Sequence, residues 1–263
     1  EVVLLDLSGQ QLSATAFTRR QRSSGGGSAE AGDVDGDGFD ELAVMTQGHL
    51  QILRLHPAPD VIGVDAEGLV DMGDVDGDGR DELLVVRDQV VHLLRPGRPP
   101  LPVPDVPARA FLYDLDGDGR EEVLCPLATR GLEIRDAATG QVRQTLPTPV
   151  LEVVAGTSPS GDTRVWGKTY PGRSLVSWEV RGGQLVPAWA PILEVSSWET
   201  SLLPVGDGLL VSGPGSAASY VDPIAREVVA APSHRRPLRS YAAAIPGLFV
   251  ASEVLRTSAW TVP

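Results

Sequence analysis

The stretch Asp33-Val34-Asp35-Gly36-Asp37-Gly38-Phe39-Asp40-Glu41 decides the reading of this chain, because it is written three times. It returns as Asp74-Val75-Asp76-Gly77-Asp78-Gly79-Arg80-Asp81-Glu82 and as Asp114-Leu115-Asp116-Gly117-Asp118-Gly119-Arg120-Glu121-Glu122, with starts 41 and 40 residues apart. An acidic loop recurring at this period marks a repeat architecture in which each unit is one supersecondary block stacked on its neighbours. Carboxylates at loop positions 1, 3 and 5 converge on one hard cation when the chain curls tightly around it. The loop glycines permit that curl, since glycine reaches positive φ without a Cβ penalty. A Glu at position 9 and a carbonyl at position 7 bring the set to five or six oxygens. That set suits calcium better than magnesium, which prefers a strict octahedron and keeps several waters. No loop position is His or Cys, so nothing there recruits zinc or copper.

The competing pattern is the EF-hand, whose twelfth loop position is a bidentate Glu. Here that position is Val44, Val85 or Cys125, and none is an oxygen ligand. The Glu at position 9 closes the loop three residues early. A short apolar run comes next each time, Leu42-Ala43-Val44-Met45, Leu83-Leu84-Val85-Val86 and Val123-Leu124-Cys125. Such runs, bounded by turn signals, read as buried strands rather than as a helix. The EF-hand reading fails.

The pattern Asp-x-Asp-Gly-Asp-Gly-x-x-Glu between two strands resembles the calcium loops of FG-GAP and VCBS-type repeats, the blades of integrin α-like propellers. The resemblance covers residues 29–127, and the family's flanking Phe-Gly and Gly-Ala-Pro motifs are absent, as in its divergent members. It implies side-chain ligands at Asp33, Asp35, Asp37 and Glu41, with the carbonyl of Phe39. In the second copy it implies Asp74, Asp76, Asp78, Glu82 and the carbonyl of Arg80. In the third it implies Asp114, Asp116, Asp118, Glu122 and the carbonyl of Arg120. About three calcium ions are implied, each expected to staple one repeat.

Four strands every forty residues predict an all-β fold, a β-propeller of six or seven four-stranded blades. In the first repeat the strands are expected at 29–32, 42–46, 50–55 and 61–64, and in the third at 110–113, 123–127, 132–135 and 141–146. The repeat continues without its ligands. Around residues 153–166 the ligand positions become Thr157, Pro159 and Gly161, and at 202–211 and 242–250 the loop shrinks to a tight turn, the latter at Pro246-Gly247. Six inner-strand anchors fall near residues 32, 73, 113, 155, 204 and 244. Residues 2–12 resemble the hairpin at 132–142, so the N-terminal hairpin is expected to complete the C-terminal blade and remove exposed edges, in one domain spanning 1–263. The Gly/Ser-rich 23–28 and the Pro-rich 96–107 read as loops within the repeats.

Net charge is −13, yet the three loops alone supply fifteen carboxylates, and the remainder carries 22 basic against 20 acidic groups. Three calcium ions would bring the total to −7. With no basic stripe, nothing points to a nucleic-acid surface. The single cysteine, Cys125, excludes an internal disulfide and reads as a small buried hydrophobe. No run reaches the roughly 18 apolar residues of a membrane span. The chain opens on Glu1-Val2-Val3-Leu4-Leu5 without a signal peptide, which reads as a mature or trimmed form. Loops of this kind work at millimolar-range calcium, so an extracytoplasmic location is expected: secreted, periplasmic or at the cell surface. The absence of Asn and a single Lys beside 21 Arg fit GC-rich bacterial codon usage.

No Gly-x-Ser-x-Gly elbow, Walker loop or His-Glu-x-x-His helix is present, and His49, His56, His92 and His234 are scattered. The pairs Asp40/Glu41 and Asp81/Glu82 resemble a glycosidase dyad, but calcium ligation explains one member of each. No catalytic or organic-cofactor residue is assigned. The expected function is therefore non-catalytic binding of a protein or glycan at the cell envelope, as in adhesion. The alternative is an exported propeller hydrolase or lyase using calcium at its substrate face. All five Trp (Trp166, Trp178, Trp189, Trp198, Trp260) lie beyond the last acidic loop. They are expected to pack between blades, with stacking on a sugar or a protein partner as the second reading. The cluster at 235–239 reads as a solvated basic loop.

Overall fold

Short apolar runs separated by turn residues become strands, and the strands pair in chain order. In the computed structural model Ala29–Gly32, Glu41–Thr46, His49–Arg54 and Asp60–Val64 form the first four-stranded antiparallel sheet. Gly68–Gly73, Glu82–Arg87, Val90–Leu94 and Leu101–Val103 form the second. Phe111–Tyr113, Glu122–Leu127, Gly131–Asp136 and Val142–Leu146 form the third. The fourth uses Val150–Thr157, Thr163–Thr169, Leu175–Arg181 and Gln184–Ala188. The fifth uses Ser201–Val205, Gly208–Ser212, Ser219–Asp222 and Glu227–Ala230. Ser240–Ile245, Leu248–Glu253 and Arg256–Thr261 make a sheet of three, and Val2–Leu5 pairs with Gln11–Thr15. Strand bounds in the first and third repeats agree with the sequence expectation to within one or two residues, and all six anchors fall in or beside first strands.

The structure describes all residues except 1, 6–10, 16–28, 47–48, 55–59, 96, 104–105, 107–109, 159, 172–173, 192–200, 206, 213–218, 231–239, 246–247, 254–255 and 262–263. For 2–5, 11–15, 29, 46, 201, 203, 205, 212, 230, 240–245, 248–253 and 256–261 it describes the backbone alone. The Gly/Ser-rich 23–28, the turn Pro246-Gly247, the basic cluster 235–239, His56, His234 and Trp198 lie outside the described residues, as does the side chain of Trp260. Among the described residues no helix is long and apolar enough to cross a membrane.

The chain divides into two compact units. One comprises 1–112, 119–121 and 137–140; the other comprises 113–118, 122–136 and 141–263. Within the first, the faces of the first two sheets bury a shared core of Ala43, Leu50, Ile52, Ala66, Leu69, Leu83 and Val85. Val34 and Met72 close its edge, so the residue after Asp33 anchors the loop in the core. The two first strands, Ala29–Gly32 and Gly68–Gly73, lie against one another. Within the second unit, Trp166 and Leu175 of the fourth sheet pack on Leu202, Leu209, Val211 and Val221 of the fifth.

Register places the acidic loops. Gly32 pairs with Glu41 and Gly73 with Glu82, so each loop spans the gap between a last and a first ladder residue. The position-9 Glu is therefore held by its strand, while the Asp residues lie in the loop it closes.

Candidate metal centres

Within each loop the first Asp organises the backbone. Asp33 Oδ1 accepts from the N–H of Gly36 at 2.7 Å and of Asp37 at 3.1 Å, and Oδ2 accepts from Gly38 at 2.8 Å. Asp74 repeats this with Gly77, Asp78 and Gly79 at 2.7, 3.2 and 2.8 Å, and Asp114 accepts from Gly117 at 2.7 Å. Such a curl needs positive φ at positions 4 and 6, and the six glycines there have φ between 75° and 87°. Any L side chain with a Cβ would be strained in that region. The position-9 Glu caps the loop from below. Glu41, Glu82 and Glu122 each accept, through Oε2, the N–H of Val34, Val75 or Leu115 at 2.9, 3.0 and 3.1 Å.

This geometry gathers acids that repel one another. Ligand oxygens of Asp33, Asp35 and Asp37, of Asp74, Asp76 and Asp78, and of Asp114, Asp116 and Glu122 lie within 4.8 Å of one another. Three of the four expected side-chain ligands of each loop thus share its tight group, with Glu41, Glu82 and Asp118 outside it. The backbone at two expected carbonyl positions is fixed by the preceding Asp, since Phe39 N–H donates to Asp37 Oδ1 at 2.9 Å and Arg80 N–H to Asp78 Oδ1 at 3.0 Å.

The buried glutamates carry the tension. Burial pushes the Glu82 carboxyl up to about 7; the Val75 N–H opposes this, Asp76 and Asp78 add to it, and Arg95 lowers it. Glu41 and Glu122 shift upward as well, each chiefly through burial. Glu41 is 2% exposed, and its Oε1 has no hydrogen-bond partner; buried Asp76 Oδ1 has none either. A buried carboxylate oxygen left without a partner carries an uncompensated desolvation cost. These all-oxygen sets fit a hard divalent cation, which would be held by the Asp triplets and the position-9 Glu and would supply the missing positive charge.

Sequence reasoning missed the arginines that face these loops. Arg54 Nε lies 2.9 Å from Asp35 Oδ2, and Arg98 Nη1 lies 3.7 Å from Asp76 Oδ2. Arg143 reaches Asp116 at 3.9 Å and Asp136 at 2.9 Å, and also contacts Glu122. A signal existed for Arg54 and for Arg95, which acts on Glu82, because each lies 21 residues after its loop's first Asp; Arg135, at the same spacing, pairs with Glu133 instead. Each loop carries five carboxylates, more than the arginines described beside it. Elsewhere, burial drives the Cys125 thiol up to about 12, consistent with a small buried hydrophobe.

No family model and no curated protein matches this sequence. Solved structures do match in fold. The β-propeller domain of Cps50 (Swd1) from Myceliophteria thermophila superposes with a TM-score of 0.66 at 12% identity, covering 99% of this chain and 90% of that one. BBS1N, solved in complex with ARL6DN, gives 0.58 at 11% identity, covering 85% of this chain and 74% of that one. PorZ, a bacterial surface component of the type-IX secretion system of Porphyromonas gingivalis, gives 0.57 at 11% identity and covers 89% of this chain, which spans 32% of PorZ. The fold is an all-β propeller. At these identities the likeness speaks for the fold alone.

Proposed function

We propose that this chain is a non-catalytic, calcium-stabilised β-propeller of the FG-GAP/VCBS type that binds a protein or glycan partner outside the cytoplasm. The observation that carries the calcium part is the threefold gathering of carboxylates around glycine curls, with a buried Glu41 oxygen left unpartnered. Asp33, Asp35, Asp37 and Glu41, and their counterparts in the next two loops, hold the ions, assisted by the carbonyls of Phe39, Arg80 and Arg120. Calcium of the millimolar range in which such loops work is found outside the cytoplasm. The partner-binding part draws on the company the fold keeps, since BBS1N was solved with a protein bound and PorZ is a surface component.

Thermal melts in EDTA and in added calcium test the reading. A ligand that binds only the folded state adds about 2.7 kcal/mol per site at a hundredfold excess over its dissociation constant. Replacing Asp37, Asp78 and Asp118 together by Ala is expected to remove the calcium-dependent shift. Identical wild-type curves in EDTA and calcium would sink the proposal.

A further inference from the structure

Gly32 and Gly73 immediately precede the first and second loops, and neither has a positive φ. Their purpose is room. A Cβ on Gly32 would overlap the carboxylate of Asp81, and a Cβ on Gly73 would overlap that of Glu121. Both carboxylates come from position 8 of the next loop along the chain. Asp81 Oδ2 accepts the N–H of Asp33 at 2.8 Å, and the Asp81 N–H donates back to the Asp33 carbonyl at 2.8 Å. Glu121 N–H makes the matching bond to the Asp74 carbonyl at 2.9 Å. The position-7 side chains behave alike, with Arg80 passing over Gly36 and Arg120 over Gly77.

The third loop supplies the internal comparison. Its preceding residue is Tyr113, and the next repeat has no acidic loop. The Tyr113 hydroxyl instead lies 2.8 Å from Thr157 Oγ1. A glycine before the loop therefore marks a loop with another acidic loop after it.

Each clamp grips the residue that organises its neighbour, Asp81 through carboxylate and N–H and Glu121 through its N–H, because Asp33 and Asp74 are the acids on which their loops curl. Each clamp also stands between two ligand positions of its own loop, 80 and 82 or 120 and 122. An ion that fixes residues 80–82 thereby fixes the carboxylate that holds Asp33. We infer that the loops bind cations as a coupled chain, with Asp81 and Glu121 as positioning residues through which occupancy of one loop raises the affinity of the loop before it. This inference rests on the proposed binding of calcium by the loops. By linkage the coupling is reciprocal, and couplings of this kind span about 5- to 150-fold in affinity.

Calcium isotherms on the whole chain, with bound ions counted by native mass spectrometry, test it. Asp81→Ala is expected to make the isotherm shallower and to weaken one ion by about fivefold or more. Asp81→Asn keeps a side-chain carbonyl acceptor and is expected to restore the wild-type isotherm. Gly32→Ala keeps every ligand and Asp81 itself but displaces the carboxylate, so it is expected to behave like Asp81→Ala even if that variant folds poorly. Asp40→Ala, at position 8 of the first loop, is expected to overlay the wild type. Asp81→Ala or Gly32→Ala isotherms that superimpose on the wild type overturn the coupling and leave the calcium reading standing. Absence of calcium uptake by the wild type overturns both.

Discussion

Between its first two strands the first repeat places residues 33–40, which gather charge; the fourth places a turn in which Ser158, Ser160, Gly161 and Asp162 bond one another. In the fourth, Ser158 N–H donates to the Asp162 carbonyl at 2.9 Å and Gly161 N–H to the Ser158 carbonyl at 2.9 Å. Ser160 Oγ donates to Asp162 Oδ2 at 3.0 Å, and Asp162 N–H donates to Ser158 Oγ at 3.1 Å. One acid there meets neutral donors. The first loop instead has five carboxylates, with Arg54 against Asp35 and Arg80 passing over Gly36. The fourth repeat also draws on aromatic packing, with Trp166 and Trp178 buried and Arg164 lying 5.6 Å over the Trp166 ring while pairing with Glu179 at 2.6 Å. A turn that satisfies its own polar groups needs nothing from outside. A turn that concentrates like charge needs a cation.

The sharpest way to break that contrast is to remove calcium and watch the two kinds of repeat separately. In EDTA, amide hydrogen exchange is expected to rise strongly in Glu41–Thr46, Glu82–Arg87 and Glu122–Leu127, the strands that begin with the position-9 Glu. Strands Thr163–Thr169 and Leu175–Arg181 are expected to change little. Three sites at a hundredfold excess of calcium amount to about 8 kcal/mol, more than a typical single substitution removes. Uniform loss of protection across all five strands would contradict the division.

The converse perturbation acts on the fourth repeat. Trp166 is 1% exposed and packs on Leu202, Leu209 and Val211. Trp166→Ala leaves a cavity, for which the expected cost is about 3–5 kcal/mol. That loss is expected to be the same in EDTA and in calcium. A loss that depends on calcium would show that the two kinds of repeat are not independent. The burial of Trp166 and Trp178, with Trp189 half-buried against the same core, agrees with packing rather than with an exposed sugar platform.

How much of this was legible depended on how far along the chain each cause reaches. The glycine curl, the Asp hub and the position-9 cap all act within nine residues, so one copy of the motif reveals them and three copies establish the repeat. Strand bounds are equally local, because each apolar run is short and flanked by its turn. The loop-facing arginines and the clamps by Asp81 and Glu121 were not foreseen, because they depend on elements packed side by side after folding. Asp81 and Asp33 are 48 residues apart in sequence. Even so, the alternation of Gly32, Gly73 and Tyr113 before the loops was in plain view. Its meaning needed the carboxylates that fill the space.

A third test uses pH on the ion-free protein. The Glu82 carboxyl is raised from 4.5 to about 7, mainly by burial, so the ion-free fold favours its protonated form. Its contribution to stability is therefore fully present below 4.5 and is lost as pH rises through about 7. Glu41 and Glu122 shift in the same direction. In EDTA, the difference in melting temperature between wild type and Glu82→Gln is expected to move against the wild type as pH rises across that window. In saturating calcium the charged carboxylate is the form the ion requires, so the calcium-dependent gain is expected to shrink as pH falls. A difference that stays flat with pH in EDTA would mean that Glu82 is not under this tension.

The smallest effect is the most informative about the fourth repeat. Asp162 stands in the turn that replaces the acidic loop, and its carboxylate accepts from Ser160 Oγ. If the turn closes through its own hydrogen bonds, Asp162→Ala removes one exposed bond and costs about 0.5–1.5 kcal/mol, the net worth of a typical hydrogen bond. The main-chain bonds from Ser158 and Gly161 remain, so the strands on either side keep their register. The number of calcium ions bound is expected not to change. Loss of an ion on this substitution would turn the turn into a fourth, degenerate metal loop, and the line drawn between the two kinds of repeat would have to move.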